Sequence, residues 1–198
     1  MEQKNNLRQL YILQYLYERT DENHPATNMD ITEFLSSKGI SVHRQTIPAD
    51  IEVLCSFGFD IITVRSRQNQ YFYGSRAFEL AELKMMVDAI QAARFITPSK
   101  SEQLIRKLAK LTSVHCASEL NRQLYIAGRV KATNESILYT VDLLYAAITT
   151  RKQISFQYYE YSKDKKKVLK HDGQVYEFSP YDLVWCNDTY YVFGWSES

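Results

Sequence analysis

Apolar residues recur at helical spacing through the first third of the chain. Leu7, Leu10, Tyr11, Gln14 and Tyr17 share one helical face, which Leu13 and Leu16 widen, and this predicts a helix from Lys4 to Thr20. The stretch DENHPAT breaks it, because Pro25 cannot continue a helix and biases His24 toward an extended conformation. Thr27 or Asn28 can cap a second helix, with Ile31, Phe34 and Leu35 on its buried side and Gly39 as its stop. In SVHRQTIPADIEVLCSFG, from Ser41 to Gly58, Ile47, Ile51, Leu54 and Phe57 recur at spacings of four and three. That pattern predicts a third amphipathic helix with one buried stripe, closed by Gly58 in the left-handed conformation.

After Gly58 the period becomes extended. Ile61 to Val64 and Gln70 to Tyr73 read as two strands joined by the polar turn Ser66 to Asn69, with Arg65 and Arg67 at its shoulder. Helical spacing returns from Phe78 to Thr97, through Leu80, Leu83, Met86, Val87, Ile90 and Ala93, and again from Ser99 to Thr112 beyond Pro98. Near Asn134 the pattern restarts, with a helix from Ile137 to Thr149 followed by the strand-like runs ISFQYYEY, VYEFSPYDLVW and TYYVFGW. The expected class is α+β, divided into residues 1–75, a helical connector and possible dimerisation region over 76–135, and a β-rich segment over 136–198.

Composition sets outer limits. A hydrophobic fraction of 45% with 24% charged residues suits one large or two smaller globular cores. No apolar run approaches the roughly 20 residues that span a bilayer, and the polar N-terminus is unlike a signal peptide. Cys55, Cys116 and Cys186 are odd in number and lack CxxC spacing, so they read as reduced thiols of a cytoplasmic protein. Charge is uneven. Residues 1–75 carry seven Lys and Arg against nine Asp and Glu, whereas residues 76–135 carry ten against six. Any polyanion bound by the first segment must meet a local basic patch.

Candidate chemistry gathers in that segment. The first turn of the third helix offers His43, Arg44, Gln45 and Thr46, side chains able to donate to phosphates and base edges. Three helices, the last two joined by a short Gly-containing connection, give a helix-turn-helix order, and a hairpin directly after them is placed as a wing. Val42 to Thr46 would enter the major groove, and Arg65 and Arg67 would hold the wing to the backbone. An ordinary amphipathic helix with a polar solvent face, and arginines serving solubility, is the open alternative. The adjacent His115 and Cys116 have no second ligand pair nearby and read as structural, so neither metal nor cofactor is expected. Lys163, Lys165, Lys166, Lys167 and Lys170 read as a solvated hairpin connection, or more sharply as a contact to nucleic acid or an anionic ligand. A Gly-rich phosphate loop, paired carboxylates at a readable spacing and a nucleophile elbow are all lacking, so an enzyme is not expected.

QTIPADIEVL and the FGFDI entry into the hairpin resemble the DeoR-like winged-helix half of bacterial WYL-domain transcriptional regulators. AITTRKQISFQY, VYEFSPYDLVW and TYYVFGW are similar to the start of the WYL domain, a ligand-sensing Sm-like β-barrel. The Trp-Tyr-Leu triplet of that family falls at Tyr190, Tyr191 and Val192. The resemblance implies an N-terminal winged helix-turn-helix, a helical connector and an incomplete WYL barrel, since the chain stops shortly after the triplet, as a fragment or a natural truncation. It further implies a homodimeric regulator of double-stranded DNA. Its sensor would take a nucleotide, a cyclic dinucleotide or single-stranded nucleic acid, with Tyr158, Tyr181, Tyr190 and Tyr191 as candidates for base stacking or barrel core. Two positions depart from the family, Gln45 and Ala49, where arginines are common. A second reading, drawn from the acidic balance of residues 1–75, is a winged helix that binds protein instead of DNA.

Overall fold

The computed structural model describes residues 2–65, 67–120, 131–132, 136–162, 164 and 166–197, with the backbone alone for residues 2–5 and 44. Helices and small antiparallel sheets share the chain, so the class is α+β. Two compact units are present. One comprises Met1–Ala92 with Ser101–Ala127, and the other Ala93–Lys100 with Gly128–Ser198.

The first unit opens with α1 (Glu2–Arg19), β1 (Ala26–Thr27) and α2 (Asn28–Ser37), followed by a 3-10 turn (Arg44–Thr46) and α3 (Ile47–Phe57). The strands β2 (Ile61–Val64) and β3 (Gln70–Tyr73) form a hairpin, and β1 pairs with the free side of β3, so the sheet order is β1-β3-β2. Ile12, Leu16, Ile31, Leu35, Ile47, Ile51, Leu54, Ile61 and Tyr71 form one buried cluster under the three helices and the hairpin. Each such side chain contributes roughly 1.5–3 kcal/mol on burial.

Between the two cap candidates of α2, Thr27 is the cap. Its hydroxyl accepts from the Asp30 N–H, while the Asp30 carboxylate accepts from the Thr27 N–H at 2.8 Å, a reciprocal capping box. Thr27→Ala is expected to cost about 1 kcal/mol. A thermal melt followed by far-UV circular dichroism checks this, and an unchanged midpoint would remove the cap from the account of α2.

Two expectations about buried faces fail. Leu7 and Leu10 are exposed at 48% and 62%, because the inward stripe of α1 runs through Arg8, Ile12, Leu16 and Thr20 at a spacing of four. Phe57 is 81% exposed. Gly58, at φ 112°, turns the chain left-handed, and the Phe59 N–H bonds the Leu54 carbonyl at 3.1 Å. This return places Phe59 against the core in the position that Phe57 was expected to fill.

Next come α4 (Leu80–Ala92), α5 (Pro98–Ala109) and α6 (Val114–Leu120). Leu83, Val87 and Leu120 form a second buried cluster, with Ile105 and Leu108 packed on it. Helix α4 ends five residues before Thr97, where it was expected to end. Thr97 instead accepts from the Lys100 N–H through its hydroxyl and starts α5. Helix α6 was not anticipated. Ser113 caps it by accepting from the Cys116 N–H, and its own hydroxyl donates to Asp21.

In the second unit, α7 (Ser136–Thr149) packs on β7 (Tyr176–Cys186), the middle strand of an antiparallel sheet ordered β4-β7-β8, with β4 at Ile154–Phe156 and β8 at Thr189–Trp195. The strands β5 (Tyr159–Tyr161) and β6 (Lys167–Leu169) make a separate hairpin. Asn187 and Asp188, at φ 49° and 60°, turn β7 into β8, as a two-residue hairpin with positive φ at both positions requires. Among the described residues the strands form open sheets, and no closed barrel is present. No described helix is long and apolar enough to cross a membrane.

Candidate nucleic-acid interface

The turn before α3 and the tip of the β2–β3 hairpin carry the residues expected to touch DNA. The α-helix proper begins at Ile47, later than the expected first turn at His43, and residues 44–46 instead wind as a 3-10 turn closed by the Thr46 N–H on the His43 carbonyl. Pro48 therefore falls inside the first turn, where its missing N–H breaks no helical hydrogen bond. His43 and Gln45 are exposed, Thr46 is half-buried, and the Arg44 side chain lies outside the described residues. Val42 packs against the core cluster, so it seats the turn. Arg65 and Arg67 are exposed at the hairpin tip, while Ser66 between them lies outside the described residues.

One contact absent from the sequence reading sets the angle of α3. Asp50, in its first turn, is buried, and its carboxylate accepts from Arg8 Nε at 2.6 Å, Arg8 Nη2 at 2.8 Å and Gln9 Nε2 at 3.2 Å. A bidentate arginine fixes both distance and orientation between α1 and α3. The hydrogen bonds to Asp50 raise the Arg8 pKa against the opposing effect of desolvation. Arg8 is consequently committed to the scaffold. Beyond the 3-10 turn, the outward face of α3 shows Ala49, Glu52, Val53, Ser56 and Phe57, an acid among small and apolar groups. The one hydroxyl on this face, that of Ser56, donates to the Val53 carbonyl at 2.7 Å.

The four candidate tyrosines of the second unit do not converge. Tyr158 is half exposed and lies edge-on to Phe156 and Tyr176. Tyr181 sits at the register shift between Pro180 and Asp182, and it is 67% exposed. Tyr190 and Tyr191 are consecutive on β8 and so point to opposite faces of the sheet. Tyr190 is half-buried, with ring contacts to Trp185 at 4.7 Å and Phe95 at 5.5 Å. Burial, then the proximity of Tyr145, raises its pKa. Of the lysine run, Lys170 pairs with Glu160 at 3.2 Å and Lys167 lies 4.4 Å over the Tyr159 ring, while Lys163 and Lys165 lie outside the described residues. His115 stacks on His24 at 3.8 Å, and among the described residues no group of three or more His, Cys, Asp or Glu could hold a metal ion.

The final helix and sheet, α7 through β8, are also where the chain matches a known domain. Residues 139–198 match the WYL domain. WYL domains occur in ligand-sensing transcriptional regulators, and the match supports a function of that general kind. The matched region begins inside α7 and takes in all of β4 to β8. Comparison with curated proteins returned no match.

Proposed function

We propose that the chain is a sequence-specific, double-stranded DNA-binding regulator of transcription that works as a homodimer. In this reading its N-terminal unit is a DeoR-like winged helix-turn-helix and its WYL domain senses a nucleotide-type or nucleic-acid ligand. The observation that carries it is the presentation of His43, Gln45 and the Arg44 position on an exposed turn ahead of α3, with Arg65 and Arg67 exposed on the hairpin that follows. Gln45 would pair with adenine, and Arg44 with guanine or a phosphate. The arginines at the hairpin tip would add contacts to the backbone. The acidic balance of residues 1–75 and the outer face of α3, which shows Glu52 among small and apolar groups, make a single copy a weak binder. A second subunit supplies the missing affinity.

Arg44→Ala with Gln45→Ala is expected to weaken binding to an operator selected from a random DNA pool by at least about thirtyfold, at unchanged thermal stability. Unchanged affinity in a fluorescence-anisotropy titration would sink the assignment of the reading turn. A second reading, a winged helix that binds a protein partner, is favoured by Val53 and Phe57, exposed at 49% and 81% on α3. Salt separates the two, since DNA affinity falls steeply as salt rises and an apolar protein contact does not.

A further inference from the structure

The second unit carries an open pocket of about 690 Å³ that none of the four candidate tyrosines except Tyr190 touches. One wall is α7, where Ile137, Val141 and Leu144 recur at four and three and form an apolar floor. Phe95, Tyr159 and Tyr190 add aromatic rings to its lining, and Phe95 and Tyr190 are in ring contact. Phe95 meets Trp185 edge-on at 4.6 Å as well as Tyr190, so its ring is held on two sides. Among the described residues that line the pocket are three cations, Arg94, Lys131 and Lys167, and one acid, Asp188. Burial lowers the pKa of Lys131, because desolvation disfavours its charged form.

An apolar floor, aromatic rings and a surplus of positive charge among the described lining residues suit a ligand with a flat ring and an acidic group. We propose that this cavity binds a small aromatic anion, a planar ring carrying a carboxylate, sulfonate or phosphate, with the ring between α7 and the Phe95–Tyr190 wall and the acidic group toward Arg94 and Lys167. The proposal rests on the ligand-sensing reading of residues 139–198 for its purpose, though not for its chemistry. It differs from stacking on the exposed tyrosines Tyr158, Tyr181 and Tyr191, none of which lines the cavity. Arg94 and Phe95 lie outside the matched domain, so the site joins that domain to a segment before α5.

The test uses the full chain and 1-anilinonaphthalene-8-sulfonate, with N-phenyl-1-naphthylamine as the same ring system without the sulfonate. In a Trp195→Phe background, energy transfer from Trp185, next to the Phe95 wall, reports occupancy. The sulfonate is expected to bind saturably, and the neutral ring about tenfold or more weaker. Arg94→Met with Lys167→Met should weaken the sulfonate by a similar factor while leaving the neutral ring unaffected. Thr140→Phe, which fills the pocket from α7 without adding a tryptophan, should abolish both. Equal affinity for the two probes, indifference to the double substitution or to the filled cavity, or no saturable transfer would each overturn the proposal. Since the assay contains no DNA, its failure leaves the operator test standing, and loss of operator binding leaves this one standing.

Discussion

Asp50→Ala is expected to lower the stability of the N-terminal unit by about 3 kcal/mol, more than any exposed substitution in the 3-10 turn before α3 would. The Asp50 side chain is 4% exposed and that of Arg8 15%. Alanine leaves the Arg8 guanidinium in place without the carboxylate that took two of its hydrogen bonds. A poorly solvated charge that has lost its counter-ion costs more than the pair ever contributed, because the desolvation of the arginine is no longer offset. Arg8→Met with Asp50→Leu removes both charges together and should recover most of the loss. The double variant therefore separates the ion pair from simple packing. Both tryptophans, Trp185 and Trp195, belong to the second unit, so tryptophan fluorescence is blind to this change. Urea unfolding followed by the helical circular-dichroism signal is the suitable measurement. A midpoint equal to wild type would mean that α1 and α3 are held by Ile12, Leu16, Ile47 and Ile51 alone.

Arg8 also explains which parts of the fold were legible in the sequence. The strands β2, β3 and β8 lie where the runs Ile61 to Val64, Gln70 to Tyr73 and TYYVFGW place them, because a β-branched or aromatic run bounded by turn residues is a local signal. The face of α1 was not legible. A hydrophobic count assigns Leu7 and Leu10 inward and Arg8 outward, and only the distant Asp50 reverses that order. Phe57 is a similar case, since the left-handed turn at Gly58 lets Phe59 compete for the same place in the core. At the candidate interface the residue types of the reading turn could be read directly, whereas its 3-10 winding could not. The aromatic wall of the cavity was illegible for the same reason as the ion pair. Phe95 and Tyr190 are far apart in sequence, and no periodicity links them.

Gly194→Ala is expected to detach the end of β8 from β7, at a cost of about 3 kcal/mol within the second unit. The reason is space, since among the described glycines the left-handed conformations occur at Gly39, Gly58 and Gly173 and not here. Gly194 is paired with Pro180 beside the register shift, where β7 already departs from regular pleating. A Cβ at this position would lie 2.2 Å from the Ser179 carbonyl oxygen and 2.6 Å from Cζ of the Phe178 ring. The ring could rotate away. The carbonyl belongs to the backbone of the partner strand and can move only if the ladder from Ser179 to Trp195 opens. Phe178→Ala added to Gly194→Ala should therefore give little rescue, which distinguishes a backbone clash from crowding by the ring. The opposite end of the hairpin, where Cys186 faces Thr189 across the Asn187–Asp188 turn, is remote from the clash and should remain paired. Trp195 is the residue after Gly194 and Trp185 pairs with Tyr190 in the part that stays closed. With each tryptophan replaced by Phe in turn, Trp195 should report early unfolding of Gly194→Ala in urea and Trp185 a later transition. Coincident, wild-type transitions at both positions would show that the sheet accommodates a methyl group at Gly194, and the close approach of β7 to β8 would then carry no such cost.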